Sequence, residues 1–269
     1  MKITLNGKPF ETQENSVFKL RKSLGFTENK TVTIKNGFAL SEDSIIKDGD
    51  NVFFIEKDIL PDRDSLDIMM KARLTPGVYE KIKNAKVAVA GLGGLGSSIA
   101  EALARTGVGH LHLIDFDTVE PSNLNRQRYR ICHLGMAKSE ATALQIKEYN
   151  PFIKVKAEQV RITAENAAEI FAEDDIICEA FDSPEAKAEM INAILEKCPQ
   201  KKIVAASGMA GLESSNTIVT KRIMKNFYLC GDGVSAAEEG RGLMAPRVDI
   251  CAGHQANMVL RLITGCEEP

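Results

Sequence analysis

Residues 86–115 read KVAVAGLGGLGSSIAEALARTGVGHLHLID, and the fold turns on this stretch. "KVAVA" is an unbroken apolar run of the length a fully buried strand needs. Gly91, Gly93 and Gly96 then punctuate a turn, and "GSSIAEALARTG" carries a helical pattern that stops at Gly107. "HLHLID" is a second strand, with Asp115 at its end. Strand, turn, helix and strand make one βαβ unit, the element from which parallel sheets are built. The turn also has chemistry. Glycines let backbone approach a phosphate, and the helix start offers unpaired N–H groups and a positive dipole end. A carboxylate at the end of the next strand is placed for ribose hydroxyls, the part Asp115 would play. On these residues alone, a nicotinamide-dependent oxidoreductase and an enzyme of nucleoside triphosphates fit equally well.

Toward the C-terminus the same rhythm continues. "AKSEATALQIKEYN" is a helix stopped by Pro151, followed by the strand "IKVKAEQV" and a helix around "TAENAAEIFA". "DIICEAFD", "PEAKAEMINAILEK" and "KIVAASG" add strand, helix and strand. Such alternation predicts an α/β domain, Rossmann-like, with a mixed, mostly parallel sheet covered by helices on both faces. This domain is expected over residues 81–269.

Toward the N-terminus the pattern changes. "KITLN", the turn Asn6-Gly7 and "PFET" predict a hairpin. "SVFKLRKSLG" is a short helix capped by Ser16 and stopped at Gly25, and "TVTIKNG", "FAL" and "NVFFIEK" are strands. The order β-β-α-β-β within residues 1–58 predicts a separate small β-grasp domain. Residues 59–80 are expected to be a charged linker with a short helix broken at Pro76-Gly77.

Composition narrows the class. The 269 residues are 44% hydrophobic, enough for a sizeable core, and the net charge of −3 argues against a surface built for nucleic acid or anionic membrane. No run reaches the roughly 18 apolar residues of a membrane span, and the N-terminus has no signal-peptide core, so a cytoplasmic protein is expected. The six cysteines are scattered with no CxxC among them, which suits reduced thiols and predicts neither a disulfide framework nor zinc.

The polar run DFDTVEPSNLNRQRYR, residues 115–130, separates the two readings of the glycine turn. A nicotinamide pocket is neutral, whereas Arg126 brings positive charge to the strand ends and Lys138 adds a compact cation at a helix start. Arg128 and Arg130 are better read as solvated surface groups. Asn123 reaches ribose or phosphate. Asp182, after the strand "DIICEAF", stands at the carboxyl edge of the sheet, where an acid can hold Mg²⁺.

Taken together, "GLGGLGS", "DFDTVEPSNLNRQ", Lys138 and "AFDSPEAK" closely resemble the adenylyltransferases of the ThiF/MoeB/HesA group, which activate ubiquitin-like sulfur carriers. The likeness runs from about Lys81 to the end, including "GLMAP" and "GHQANMVLRLITG". It implies ATP over Gly91, Gly93, Gly94 and Gly96, with ribose on Asp115. It also implies Asp117, Asn123, Arg126, Gln127 and Lys138 at the nucleotide and its phosphates, and Asp182 on Mg²⁺. Arg126, Lys138 and Asp182 would carry catalysis. The implied reaction is adenylylation of the C-terminal glycine of a carrier ending in Gly-Gly. The implied assembly is a homodimer that brings an arginine, Arg63 or Arg73, across to the ATP, with a sulfur donor such as a cysteine desulfurase.

The first 58 residues resemble the ThiS sulfur carrier, which favours the thiamin (thiazole) pathway over molybdopterin or another carrier. The chain departs from both patterns. The paired CxxC motifs of many relatives are missing, Glu238 and Glu239 stand where some have a sulfur-transfer cysteine, and "FFIEKDILPD" continues where a carrier would end in Gly-Gly.

Overall fold

Alternation along short strands builds the first sheet in the computed structural model, which describes residues 1–74 and 77–269. β1 (Lys2–Leu5) and β2 (Lys8–Glu11) form an antiparallel hairpin. Its turn residues Asn6 and Gly7 both have positive φ, at 47° and 77°, the pairing a tight primed turn needs. α1 (Val17–Ser23) starts at Ser16, whose side chain accepts from the Lys19 amide. β3 (Thr31–Lys35), β4 (Phe38–Ala39) and β5 (Asn51–Glu56) complete a five-stranded sheet of order β2-β1-β5-β3-β4. In β5 the side chains separate strictly. Val52 and Phe54 join Ile3, Val17 and Leu20 under α1, while Phe53 and Ile55 face the other way with Val32 and Ile34.

That second face corrects one expectation. The segment predicted as a linker is not one throughout, because α2 (Arg63–Met70) and the residues after it lie on this sheet. Ile68 and Ala72 cover Phe53 and Ile34, and a side chain at Gly7 would come within 2.6 Å of Ile68 Cγ2. An apolar sheet face has to be buried against something, and the chain itself supplies the cover. The first compact unit accordingly runs over residues 1–80 and the second over 81–269. The predicted helix break falls partly on Pro76, which lies outside the described residues. α3 (Val78–Asn84) leads into the second unit.

The second unit follows the predicted alternation. β6 (Lys86–Ala90), α4 (Gly94–Thr106), β7 (His110–Ile114), α5 (Lys138–Tyr149) and β8 (Lys154–Glu158) come first. α6 (Ala167–Ile170), β9 (Ile176–Glu179), α7 (Pro184–Lys197) and β10 (Lys202–Ala206) follow. β11 (Val219–Met224), β12 (Phe227–Gly231) and α8 (Ala245–Thr264) end the unit. The seven-stranded sheet has the order β11-β12-β10-β9-β6-β7-β8, and only the β11–β12 pair is antiparallel. Ala88, Ala90, Ile177, Ile203 and Ala205 form one face with α6 and α7 through Phe171, Met190 and Ile194. The alternate residues Val87 and Val89 are also fully buried, and α4 packs against α8, so helices cover both faces.

Two glycines hold the switch point of this sheet together. Gly91 has φ 86°, and a Cβ there would stand 2.9 Å from the Ala180 carbonyl oxygen. At Gly96 a Cβ would lie 1.8 Å from the Gly91 carbonyl oxygen, so the first turn of α4 closes on the strand end only without a side chain.

Candidate functional site

At the carboxyl edge of β6, β7, β9 and β10 the second unit contains a cavity of about 770 Å³. Its walls bring together Gly91, Gly93, Gly94, Asp115, Asp117, Arg126, Gln127, Lys138 and Asp182, all anticipated from the sequence. Two anticipated residues are not part of its lining. Gly96 acts on the strand–helix packing just described, and Asn123 shapes the loop. The Asn123 side-chain oxygen accepts from the Glu120 amide at 3.0 Å, and its backbone oxygen accepts from the amides of Arg126 and Gln127. Asn123 therefore sets the turn that delivers Arg126 and Gln127.

Asp115 is the hub of the glycine turn. Its two oxygens accept from the amides of Leu92 at 2.6 Å and Asp117 at 2.8 Å. Burial pushes its pKa above the usual carboxylate value, against the pull of those two amides and Lys138. Lys138, itself buried, donates to Asp117 Oδ2 at 2.9 Å, and its backbone amide donates to the Asp117 carbonyl. Beneath them the buried Tyr129 hydroxyl donates to the Leu92 carbonyl at 2.8 Å. Burial pushes this phenol upward, so it stays a donor. The Asp117–Lys138 pair and the Tyr129 contact tie the motif's two ends into one rigid wall.

Arg126 is held by neutral groups, donating to the Ser122 carbonyl at 3.1 Å and Asn125 Oδ1 at 2.9 Å. Its charge remains available to an anion. Gln127 is buried on the cavity wall, and its side-chain oxygen has no hydrogen-bond partner. An orphaned acceptor there suits a donor brought by a ligand, such as a hydroxyl or a peptide N–H. Asp182 is exposed on the turn between β9 and α7. Arg128 and Arg130, expected as solvated surface groups, are exposed and off the cavity lining, but both are paired. Arg128 joins the loop to Asp249 at 3.0 Å and to Ser98, and Arg130 pairs with Glu148 at the surface.

Three groups were not anticipated. Arg161 lies on the cavity wall, with its guanidinium 3.8 Å over the centre of the Phe116 ring. Lys187 also lines the cavity and stands 2.9 Å from Glu179, a fully buried acid at the end of β9, ahead of Asp182. Asp232 and Arg247 form a buried ion pair of 2.6 Å. Burial pushes the Asp232 pKa up, but hydrogen bonds from Ser235, Val234 and Arg247 outweigh it and bring it down to about 2.

The thiols and histidines stand apart from the cavity. Among the described residues no cysteine is part of its lining. Cys230 and Cys251 are buried, and burial pushes their thiols up to about 11 and about 12. Such thiols are inert. His112, at 2.8 Å from Asp174 and 3.4 Å from Glu158, is a buried core group.

Asp115 and Asp117 are engaged by amides and Lys138, which leaves Asp182, too little for a protein-only metal cage, and the described residues hold no cluster of three or more acid, histidine or cysteine ligands. Asp182 does suit Mg²⁺ that takes its remaining oxygens from nucleotide phosphates and water.

Residues 66–269 match the ThiF family, which is most of the chain. The chain belongs to the ThiF family. Residues 1–58 match the ThiS-like ubiquitin family, so the ThiF portion here follows a β-grasp domain. An adenylyltransferase and sulfurtransferase of Candida glabrata is 33% identical over 193 residues, 69% of this chain and 44% of that protein. A molybdopterin-synthase adenylyltransferase of Haemophilus influenzae is 36% identical over 132 residues, 49% of this chain and 53% of that protein. The chain thus spans about half the length of these curated relatives or less. Among solved structures, a tRNA N6-threonylcarbamoyladenosine dehydratase of E. coli in complex with ATP superposes with a TM-score of 0.68 at 21% identity. That match covers 77% of this chain and 97% of that one, and it shows a shared fold.

Proposed function

We propose that this ThiF-family chain is an ATP-dependent adenylyltransferase acting on the C-terminal glycine of a ubiquitin-like sulfur carrier. The observation that carries the reading is a single cavity that joins a glycine turn, Asp115, the cations Arg126 and Lys138, and Asp182. A neutral nicotinamide has no use for that charge, whereas a triphosphate and a carboxylate must be brought together against their own repulsion. The Candida glabrata and Haemophilus influenzae relatives, both named adenylyltransferases, support the same reading. The fused ThiS-like domain supports thiamin (thiazole) biosynthesis as the pathway.

In this reading the glycine turn and the start of α4 hold the phosphates through backbone N–H groups, and Asp115 takes the ribose. A carrier carboxylate oxygen attacks the α-phosphorus, a new O–P bond forms, and the bond to the bridging oxygen of the leaving pyrophosphate breaks. Arg126 and Lys138 stabilise the negative charge that builds on the phosphate oxygens. Lys138 is already placed by Asp117, so little reorganisation is needed when that charge appears. Mg²⁺, held by Asp182 and the phosphates, would add Lewis-acid stabilisation of the leaving group. No side-chain nucleophile takes part; positioning supplies much of the rate. A homodimer, with Arg63 or Arg73 reaching the partner's nucleotide, and an external sulfur donor complete the proposal. Both arginines lie in the first unit, Arg63 at the start of α2 and Arg73 exposed just after it.

ATP–pyrophosphate exchange tests this. Radiolabel should pass from pyrophosphate into ATP only when a purified sulfur carrier with a Gly-Gly end is added. Tight binding of NAD with no such exchange would overturn the reading in favour of an oxidoreductase.

A further inference from the structure

The turn between β9 and α7 carries Asp182, and it is not held by the usual means alone. Ser183 caps α7 by accepting from the Ala186 amide at 3.2 Å, which fixes the helix start. The backbone before Asp182 is fixed by a buried acid, whose pKa burial pushes up against the pull of Lys187. Glu179 Oε1 accepts from the Phe181 amide at 2.6 Å, so the carboxylate reaches forward along its own chain and clamps the residue preceding Asp182. Glu179 is fully buried, a position where a carboxylate is rare unless paired.

Lys187 supplies the pairing. Its ammonium stands 2.9 Å from Glu179 Oε2 and also donates to the carbonyl of Ala206 at the end of β10. One cation from the first turn of α7 is thereby fastened to the ends of two neighbouring strands. The Gln255 side chain, from α8 on the other face, donates to the carbonyls of Glu179 at 2.9 Å and Val204 at 3.1 Å. Glu179 is thus held on both its backbone and its side chain. Lys187 and Asp182 both line the cavity.

An ion pair this deeply placed gives little net stability, because desolvation of both charges offsets most of their attraction. What it gives is a single geometry. An apolar pair of the same size would fill the space, but it would leave the Phe181 amide without an acceptor and the Ala206 carbonyl without its donor.

We propose that Glu179 and Lys187 form a positioning device that sets the β9–α7 turn and through it the place of Asp182 in the cavity. Neither residue handles the nucleotide; both act through Asp182. The functional half of this inference rests on the adenylyltransferase reading, and the structural half does not.

The Phe181 amide reports on the device directly. In hydrogen exchange of the full chain, Lys187→Met should speed exchange at Phe181 by about tenfold or more, with α4 amides unchanged. Glu179→Gln, which keeps the shape but offers a weaker neutral acceptor, should show the same effect at smaller size. It also decides the matter if Lys187→Met does not fold. Unchanged Phe181 exchange in the folded variants overturns the proposal. The second arm is a double-mutant cycle in carrier-dependent ATP–pyrophosphate exchange. Lys187→Met should lower the rate by about tenfold, Lys187→Arg should restore much of it, and adding Lys187→Met to Asp182→Ala should lower the rate no further. Additive losses would show that Lys187 does not work through Asp182. If the wild-type chain supports no exchange, the functional reading fails, and Phe181 exchange still decides the positioning claim.

Discussion

The two sheets of this chain treat their exposed surfaces in opposite ways. In the first unit both faces are closed by the chain itself, one by α1 and the other by Ile68 and Ala72. Its last strand runs on through Lys57 and Asp58 into more chain, so residues 1–58 offer no terminal carboxylate. In the second unit the faces are closed as well, but the carboxyl edge is left open as a cavity crowded with charge. A ThiS-like fold is thus covered on both faces and continues into more chain at residue 58, while the ThiF portion leaves its carboxyl edge open. The difference separates a carrier-like fold from the free terminal carboxylate that carrier chemistry needs.

The comparison breaks most easily at the open edge. Asp182→Ala should lower carrier-dependent ATP–pyrophosphate exchange by ~10²-fold or more, since an uncompensated charge at a leaving group costs about that much. The thermal melt should stay as in wild type, because Asp182 is exposed. Exchange at the wild-type rate would remove Asp182 from the mechanism.

Breaking the closed unit should leave the open one alone. Phe53→Ala deletes a ring that is 4% exposed between Ile34 and Ala72, a change expected to cost about 3–5 kcal/mol in that unit. Local unfolding of the first unit, followed by hydrogen exchange, should increase by the corresponding factor. The thermal stability of the second unit should not change, because its core and its cavity lie within residues 81–269. A second unit that loses stability together with the first would show that the two units do not fold independently.

These two positions also show what the sequence could and could not reveal. Gly91, Asp115, Arg126 and Lys138 were legible as neighbours in one cavity because they lie in contiguous motifs around one βαβ crossover. Asn123 and Gly96 were legible as positions, but their work is to shape the loop and close the strand–helix contact. Glu179 was not legible. An acid inside "IICEAF" has no periodic partner, and its meaning comes from Lys187, which only the return of α7 over the strand ends brings near. The cover of the first sheet was hidden for a similar reason. "RDSLDIMMKA" reads as a charged connector, because Ile68 and Ala72 are what it presents to an apolar face.

A smaller effect concerns the loops after β10 and β12. Asp232 titrates near 2 in the folded protein, below its unfolded value of about 3.8, so its contribution is present above pH 4 and fades as the pH falls toward 2. Acid unfolding followed by circular dichroism should show this limb, and Asp232→Asn should flatten it. An unchanged acid limb in that variant would mean that the Asp232–Arg247 pair does not hold these loops.

The central claim is that the second unit activates a carboxylate which the first unit does not provide. Intact-mass analysis of the full chain incubated with ATP, Mg²⁺ and a purified carrier ending in Gly-Gly tests it most directly. The account predicts an adenylate on the carrier's C-terminus, pyrophosphate in solution, and no adenylate on any peptide from residues 1–58. An adenylate on the chain's own first unit, or a cleavage after Asp58 that frees a new C-terminus for one, would contradict it.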